Sequence, residues 1–294
     1  MNPTTLVTGA TGFIGGHLDR RLQQLGHSVI TPSSAQLDLR DPAAINRLFA
    51  SEHITRVYHL AAFGVRAEAD NVEEVIQVNT VASLTLARAA LRHKVEHFIY
   101  LGSGFEYQPR ESPIDEDAPL GSHNLYGASK AAGWLLMDFL RREEGFPLTT
   151  LRPFTVYGPA ESRTKLVPYV ALHALNREPM QLTAGSQIRD YTYVSDVIDA
   201  LIAAADSPDS IGRVYNLGDQ ALTVRSLVER ILNIAGAPLS LCEFGAAART
   251  RRDPPYLVAD ASRAHRELNW HPRVALDEGL KETLNWYDGR RTQN

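Results

Sequence analysis

The run Leu6-Val7-Thr8 is short, apolar and β-branched; it breaks at Gly9-Ala10-Thr11-Gly12 and continues as an apolar-periodic stretch from Phe13 to Leu25. A strand that turns through Gly9-x-x-Gly12-x-x-Gly15 into a helix constrains the fold more than any other feature of the chain. It opens a βαβ unit, whose next strand must run parallel. Glycine permits the tight turn and the close approach of phosphates, and the helix N-terminus offers them free N–H groups and the positive end of its dipole. Gly9, Thr11, Gly12, Phe13, Ile14 and Gly15 therefore form a candidate cradle for a dinucleotide pyrophosphate, spaced GxxGxxG rather than GxGxxG.

The alternation continues. Ser28 to Thr31 reads as a strand, Asp41-Pro42 as a helix start with a capping acid, and Val57 to Leu60 as a third strand. A long amphipathic helix over Val72 to Arg92 leads to strand Phe98 to Leu101, then a helix from about Tyr126 to Glu144 and strand Leu148 to Leu151. This predicts an α/β fold, a doubly wound parallel sheet (Rossmann-like), over residues 1–158. After Arg152-Pro153 the rhythm loosens between frequent prolines. A smaller mixed α/β C-terminal substrate lobe is expected over 159–294, with Val214 to Leu217 returning to the main sheet.

Composition narrows the ligands. Net charge is −4 and the basic residues are scattered, which leaves no footprint for nucleic acid or an anionic membrane. A small molecule is the expected partner. No apolar run is long enough to span a bilayer. Cys242 is the single cysteine, which excludes a disulfide framework and a thiolate metal cluster, and no metal is expected. Without a basic-then-apolar leader at Met1 to Thr8, a cytoplasmic location is the expectation.

Tyr126 and Lys130 stand at i and i+4, on one face of the expected helix. A free phenol, with a pKa of about 10, is too weak a base at neutral pH; a neighbouring ammonium and a positive nicotinamide ring would favour phenolate. Tyr126 can then move a proton to or from a substrate oxygen, while Lys130 holds the nicotinamide ribose. Ser103 follows the strand ending at Leu101, at the sheet edge where ligands bind, and can share that oxygen. At the tip of the second strand stand Ser33 and Ser34, with no carboxylate to repel a 2′-phosphate. NADP is favoured, with NAD the alternative; Asp38 and Leu39 are placed near the adenine.

Together these residues resemble the extended short-chain dehydrogenase/reductase family, in its NAD-dependent epimerase/dehydratase group acting on nucleotide sugars. Thr8 to Gly15 is similar to the family's cofactor turn, His59-Leu60-Ala61-Ala62 to its third-strand signature and Asn79 to its cofactor-side asparagine. Ser103-Gly104-Phe105 resembles the segment carrying the catalytic hydroxyl, and Phe154 and Val156 lie in a stretch resembling the one beside the nicotinamide. The resemblance implies a nucleotide-diphosphate sugar as substrate, with Arg189 and either Arg251 or Arg252 on the diphosphate. It also implies a homodimer through the helices Val72 to Arg92 and Tyr126 to Glu144. Family 4,6-dehydratases place Asp-Glu directly after the catalytic hydroxyl, where this chain has Gly104 and Phe105; Glu106, one further on, is expected to point elsewhere. The family's 3,5-epimerising reductases use a cysteine and a histidine, and Cys242 lies far along the chain. Hydride chemistry at one carbon remains, with reduction of a 4-keto-6-deoxyhexose at C4 favoured over 4-epimerisation with tightly held NAD. A non-catalytic cofactor-binding or sensor module is the alternative of another class, and the complete Ser103, Tyr126 and Lys130 set argues against it.

Overall fold

The computed structural model describes residues 4–64, 71–248 and 253–290. Strand β1 (Thr4–Thr8) passes through the glycine turn into α1 (Phe13–Gln24); β2 (Ser28–Ile30), α2 (Pro42–Ser51) and β3 (Ile54–His59) follow. Asp41 caps α2 by accepting the Ala43 N–H, and Pro42 takes the first helical position, where it loses no hydrogen bond. Next come α3 (Val72–Ile76), a π-helical turn (Gln77–Ala82) and α4 (Ser83–Arg92), then β4 (His97–Leu101), a 3-10 turn (Gly104–Glu106), α5 (Leu125–Glu144) and β5 (Leu148–Pro153). The remaining elements are β6 (Thr155–Tyr157), α6 (Leu166–Asn176), β7 (Met180–Leu182), β8 (Ile188–Tyr193) and α7 (Val194–Asp206); β9 (Val214–Leu217), β10 (Gln220–Thr223), α8 (Val224–Ile234) and β11 (Cys242–Phe244); and β12 (Tyr256–Leu257), α9 (Ser262–Glu267) and α10 (Leu276–Asp288).

The main sheet runs β2-β1-β3-β4-β5-β9, with every neighbouring pair parallel. The chain leaves β1 to one side for β2 and then crosses to the other for β3, so the switch point lies at the end of β1, where the glycine turn sits. Alternate residues of each strand face opposite ways. Leu6, Val57 and Phe98 pack with Ile45, Leu86 and Met137 on one face; Val7, Tyr58 and Ile99 pack with Leu18, Val197 and Leu201 on the other. The sheet is covered on both sides and reads as doubly wound.

A second, mixed sheet has β8 antiparallel to β10 and parallel to β6 and β12, and its core gathers α6, α8 and α10 around Tyr191 and Tyr193. The two cores interleave in sequence: Val197, Tyr215, Ala264 and Trp270 all pack on the main sheet. Among the described residues no helix is long and apolar enough to cross a membrane.

One departure from the expected pattern matters for the site. The stretch Val72 to Arg92 is helical, but it widens to a π turn around Asn79. There the Ser83 hydroxyl donates to the Asn79 carbonyl at 2.8 Å, and α5 presses so closely that a Cβ on Gly133 would stand 2.5 Å from that same oxygen. A 3.6-residue periodicity carries no sign of such a local register change.

Candidate active site

The glycine turn closes with the Gly12 N–H on the Gly9 carbonyl (3.0 Å) and leads into α1, which starts without a side-chain cap and without an acid in its first turn. Gly9 adopts φ +77°, and a Cβ there would stand 2.6 Å from the Ala61 nitrogen; one on Gly15 would stand 2.1 Å from the Gly9 carbonyl oxygen. Thr11 is exposed, Phe13 and Ile14 half-buried, and Leu60, Ala61 and Ala62 line the same edge, the Leu60 N–H on the Thr8 carbonyl at 3.1 Å. A side chain would fill this cradle, and the free N–H groups of α1 are those a diphosphate would complete, so the residues present fit a dinucleotide.

Ser103 begins the turn after β4. Its Oγ accepts the Phe105 N–H (3.2 Å), and Glu106 reaches back to accept the Ser103 N–H (2.8 Å), a capping box. The other Glu106 oxygen is ion-paired with Arg152 Nε at 2.8 Å, the side chains 0% and 1% exposed. Arg152 also donates to the Tyr107 hydroxyl (2.8 Å), which donates to Asn216 (2.8 Å), and its guanidinium lies 4.6 Å over the Trp134 ring of α5. A Cβ on Gly104 would stand 2.7 Å from the Phe154 ring, so that position admits no side chain without moving the ring.

Asn124 caps α5 by accepting the Gly127 N–H (2.7 Å). Gly127 lies against the Ser103 turn, where a Cβ would stand 2.1 Å from the Phe105 carbonyl oxygen, and this approach brings Tyr126 to the turn that carries Ser103. Tyr126 is half-buried and its hydroxyl makes no hydrogen bond to any described residue. Burial pushes its phenol up, and the Glu106 carboxylate adds to the rise. One turn on, Lys130 is buried with Nζ 4.0 Å over the Tyr100 ring; burial drives it down to about 8, against the pull of Glu106. In this structure desolvation and Glu106 both favour the neutral phenol, and the Lys130 ammonium sits over the Tyr100 ring.

A buried chain of hydrogen bonds joins the cradle to α5. Thr8 Oγ1 and His59 Nδ1 are 2.7 Å apart, His59 Nε2 and Ser83 Oγ 2.8 Å, and Asn79 Nδ2 donates to Ser129 Oγ (2.9 Å), which donates to the Tyr126 carbonyl (2.8 Å). Burial pushes His59 down to about 3, so it is a neutral link. The Asn79 amide is fully buried and bonded to the Phe63 backbone (2.8 Å each way) and Ser129, so it fixes the walls of the cleft.

The other expected residues are placed as follows. Ser33 donates to Gln36 Oε1 (3.0 Å), Ser34 is exposed, and Asp38 is paired with Arg40 at 2.9 Å, whose guanidinium holds that carboxyl below its usual range. Leu39 packs on the core beneath. Phe105 is half-buried, and Val156 packs between the two cores. Arg189 is buried and donates to Asp253 and to the Pro254 carbonyl, so an anion arriving there must draw the guanidinium from a carboxylate. Arg251 and Arg252 lie outside the described residues. Sequence reasoning missed the Glu106–Arg152 pair, although Ser103 and Glu106 carry capping-box spacing and an arginine inside the apolar strand β5 demands a partner.

Residues 5–218 match the profile of the NAD dependent epimerase/dehydratase family. The chain is similar to an uncharacterized UDP-glucose epimerase of Bacillus subtilis, YtcB, at 30% identity over 95% of this chain and 96% of that protein. Among solved structures it superposes on UDP-glucose 4-epimerase of Thermotoga maritima with UDP-glucose, at TM-score 0.90 and 27% identity over 99% of this chain and 100% of the other. It also superposes on UDP-glucose 4-epimerase of Thermus thermophilus in complex with NAD, at TM-score 0.88 and 26% identity over 97% and 99%.

Proposed function

The chain belongs to the NAD dependent epimerase/dehydratase family, and on that premise we propose that it is a nucleotide-sugar 4-epimerase acting on a UDP-hexose with NAD. The observation that carries this reading is the set of groups around Ser103. Gly104 lies under the Phe154 ring and can bear no acid, and Glu106 is turned inward onto Arg152. The elimination of water, which needs a second acid and base beside the hydroxyl, finds no such groups at positions 104 to 106. Ser103 and Tyr126 remain, enough for proton movement at one oxygen. The relatives named for UDP-glucose and NAD support the choice of substrate and cofactor.

Bound in the Gly9 to Gly15 cradle, the dinucleotide would supply a hydride acceptor and donor. Tyr126 takes the proton from the C4 hydroxyl and later returns one to the same oxygen. Ser103 donates its hydroxyl hydrogen to that oxygen and steadies the charge that builds on it. Lys130 contributes a positive charge that opposes the rise set on Tyr126 by burial and Glu106, and donors for the nicotinamide ribose. Arg189 exchanges Asp253 for the diphosphate of the nucleotide sugar.

A second reading, net reduction of a 4-keto-6-deoxyhexose with NADPH, is favoured by the tip of β2, where Thr31 to Ser34 contains no acid. Against it, the Ser33 hydroxyl is engaged by Gln36, and Arg40 by Asp38. To decide, purified protein is incubated with UDP-glucose and NAD and followed by NMR for UDP-galactose. A parallel incubation uses NADPH with nucleotide-linked 4-keto sugars. Interconversion without reductant supports the epimerase; NADPH oxidation alone establishes the reductase.

The working unit is proposed to be a homodimer. Val72, Ile76 and Val81 on one rod and Leu135, Leu136 and Phe139 on α5 are each at least 40% exposed, an apolar surface that a two-fold four-helix contact would cover.

A further inference from the structure

His17, in the second turn of α1, donates from Nε2 to the Pro159 carbonyl at 2.8 Å. The contact joins the helix that starts at the glycine turn to the loop, residues 158–165, by which β6 hands over to α6 of the second lobe. That loop is constrained on every side. Ala160 adopts φ +68°, a left-handed conformation that an alanine keeps only when its surroundings enforce it. A Cβ on Gly158 would stand 2.7 Å from the Val194 side chain, and Tyr287 of α10 donates to the Glu161 carbonyl. The His17 ring is itself held edge-on by Phe13, centroids 5.8 Å apart, and Phe13 packs on the second lobe's core.

The loop also carries a polar group without a use inside the fold. Glu161 Oε2 is buried and has no hydrogen-bond partner among the described residues, which is uncommon enough in a folded protein to need a reason. Burial pushes this carboxyl up to about 8, opposed by Lys165.

We propose that His17 is a positioning residue: through the Pro159 carbonyl it fixes the 158–165 loop, with Glu161 on it, and so holds the second lobe in register with the cofactor helix for nucleotide-sugar binding. The inference rests on the reading of the second lobe as the nucleotide-sugar side. His17 touches neither reacting atom, and its effect is read in substrate affinity rather than in cofactor affinity.

The test compares the parent protein with His17→Ala and His17→Gln, whose amide can still donate to the carbonyl. Hydrogen exchange of the backbone amides in 157–166 is measured alongside those of α1, and NAD-loaded protein is titrated with UDP and with UDP-glucose by calorimetry. In His17→Ala, exchange in the loop is expected to rise and UDP-glucose affinity to fall about five- to tenfold, the weight of one neutral hydrogen bond, with NAD affinity unchanged. His17→Gln is expected to restore both. Loop exchange unchanged in His17→Ala would overturn the clamp, as would equal losses in both variants, which would assign the effect to ring packing. If the loop loosens while the parent protein binds neither UDP ligand, the clamp stands and the epimerase reading falls.

Discussion

Glu106 and Arg152 form an ion pair, 2.8 Å from Oε2 to Nε, with neither side chain accessible to solvent, and Glu106 Oε1 simultaneously accepts the Ser103 N–H. One carboxylate thus balances a buried guanidinium and sets the turn that presents Ser103. Its removal leaves Arg152 charged and unpaired in the interior. Glu106→Ala is expected to cost about 3–5 kcal/mol of stability, read as a fall in the urea midpoint. A loss under 1 kcal/mol would show that the pair is balanced by other groups.

Tyr126 is proposed to move the proton at the substrate oxygen, and its ring packs whether or not the hydroxyl is present. Tyr126→Phe is expected to lower kcat by about 10²–10⁴-fold, with NAD affinity, followed by fluorescence quenching, within about twofold of the parent. Turnover close to the parent value would remove Tyr126 from the chemistry.

Lys130 gives the pH dependence. Burial lowers its pKa from the ordinary 10.5 to about 8, so as pH rises the folded protein releases this proton before the unfolded chain does. Between those values the unfolded state binds more protons, and this group's contribution to stability rises with pH. Activity moves the other way, since the charge favouring phenolate is lost: kcat/KM of the free enzyme is expected to fall above about pH 8. A profile flat to pH 9.5 would contradict the role given to Lys130.

The dimer is tested at its apolar face. Light scattering at micromolar concentration should give twice the 32.5 kDa chain mass, and the double substitution Leu135→Glu with Phe139→Glu should give the monomer. A monomeric parent protein would leave the exposed Leu135, Leu136 and Phe139 unexplained.

The parallel sheet and its glycine turn were legible because strand, turn and helix are written locally: β-branched runs, glycine spacing and 3.6-residue periodicity. The capped start of α2 was legible for the same reason. What escaped was long-range. Nothing near Asn79 in sequence signals that its amide would meet Phe63 and Ser129, 16 and 50 residues away. The Tyr126 environment escaped similarly, because i and i+4 spacing sets a shared helix face but not where Lys130 Nζ points, and here it points at Tyr100. The Arg189–Asp253 contact joins residues 64 apart and could not be read from either segment.

The proposed chemistry at C4 is reversible and closed on one site: the hydrogen that leaves C4 comes back to C4, and no reductant is consumed. UDP-glucose carrying deuterium at C4 tests it most directly. With NAD-loaded protein, the account predicts conversion to UDP-galactose with deuterium retained at C4 and no net change in reduced nicotinamide. Product whose C4 label has washed out into solvent, or no product without stoichiometric oxidation of NADPH, would contradict it.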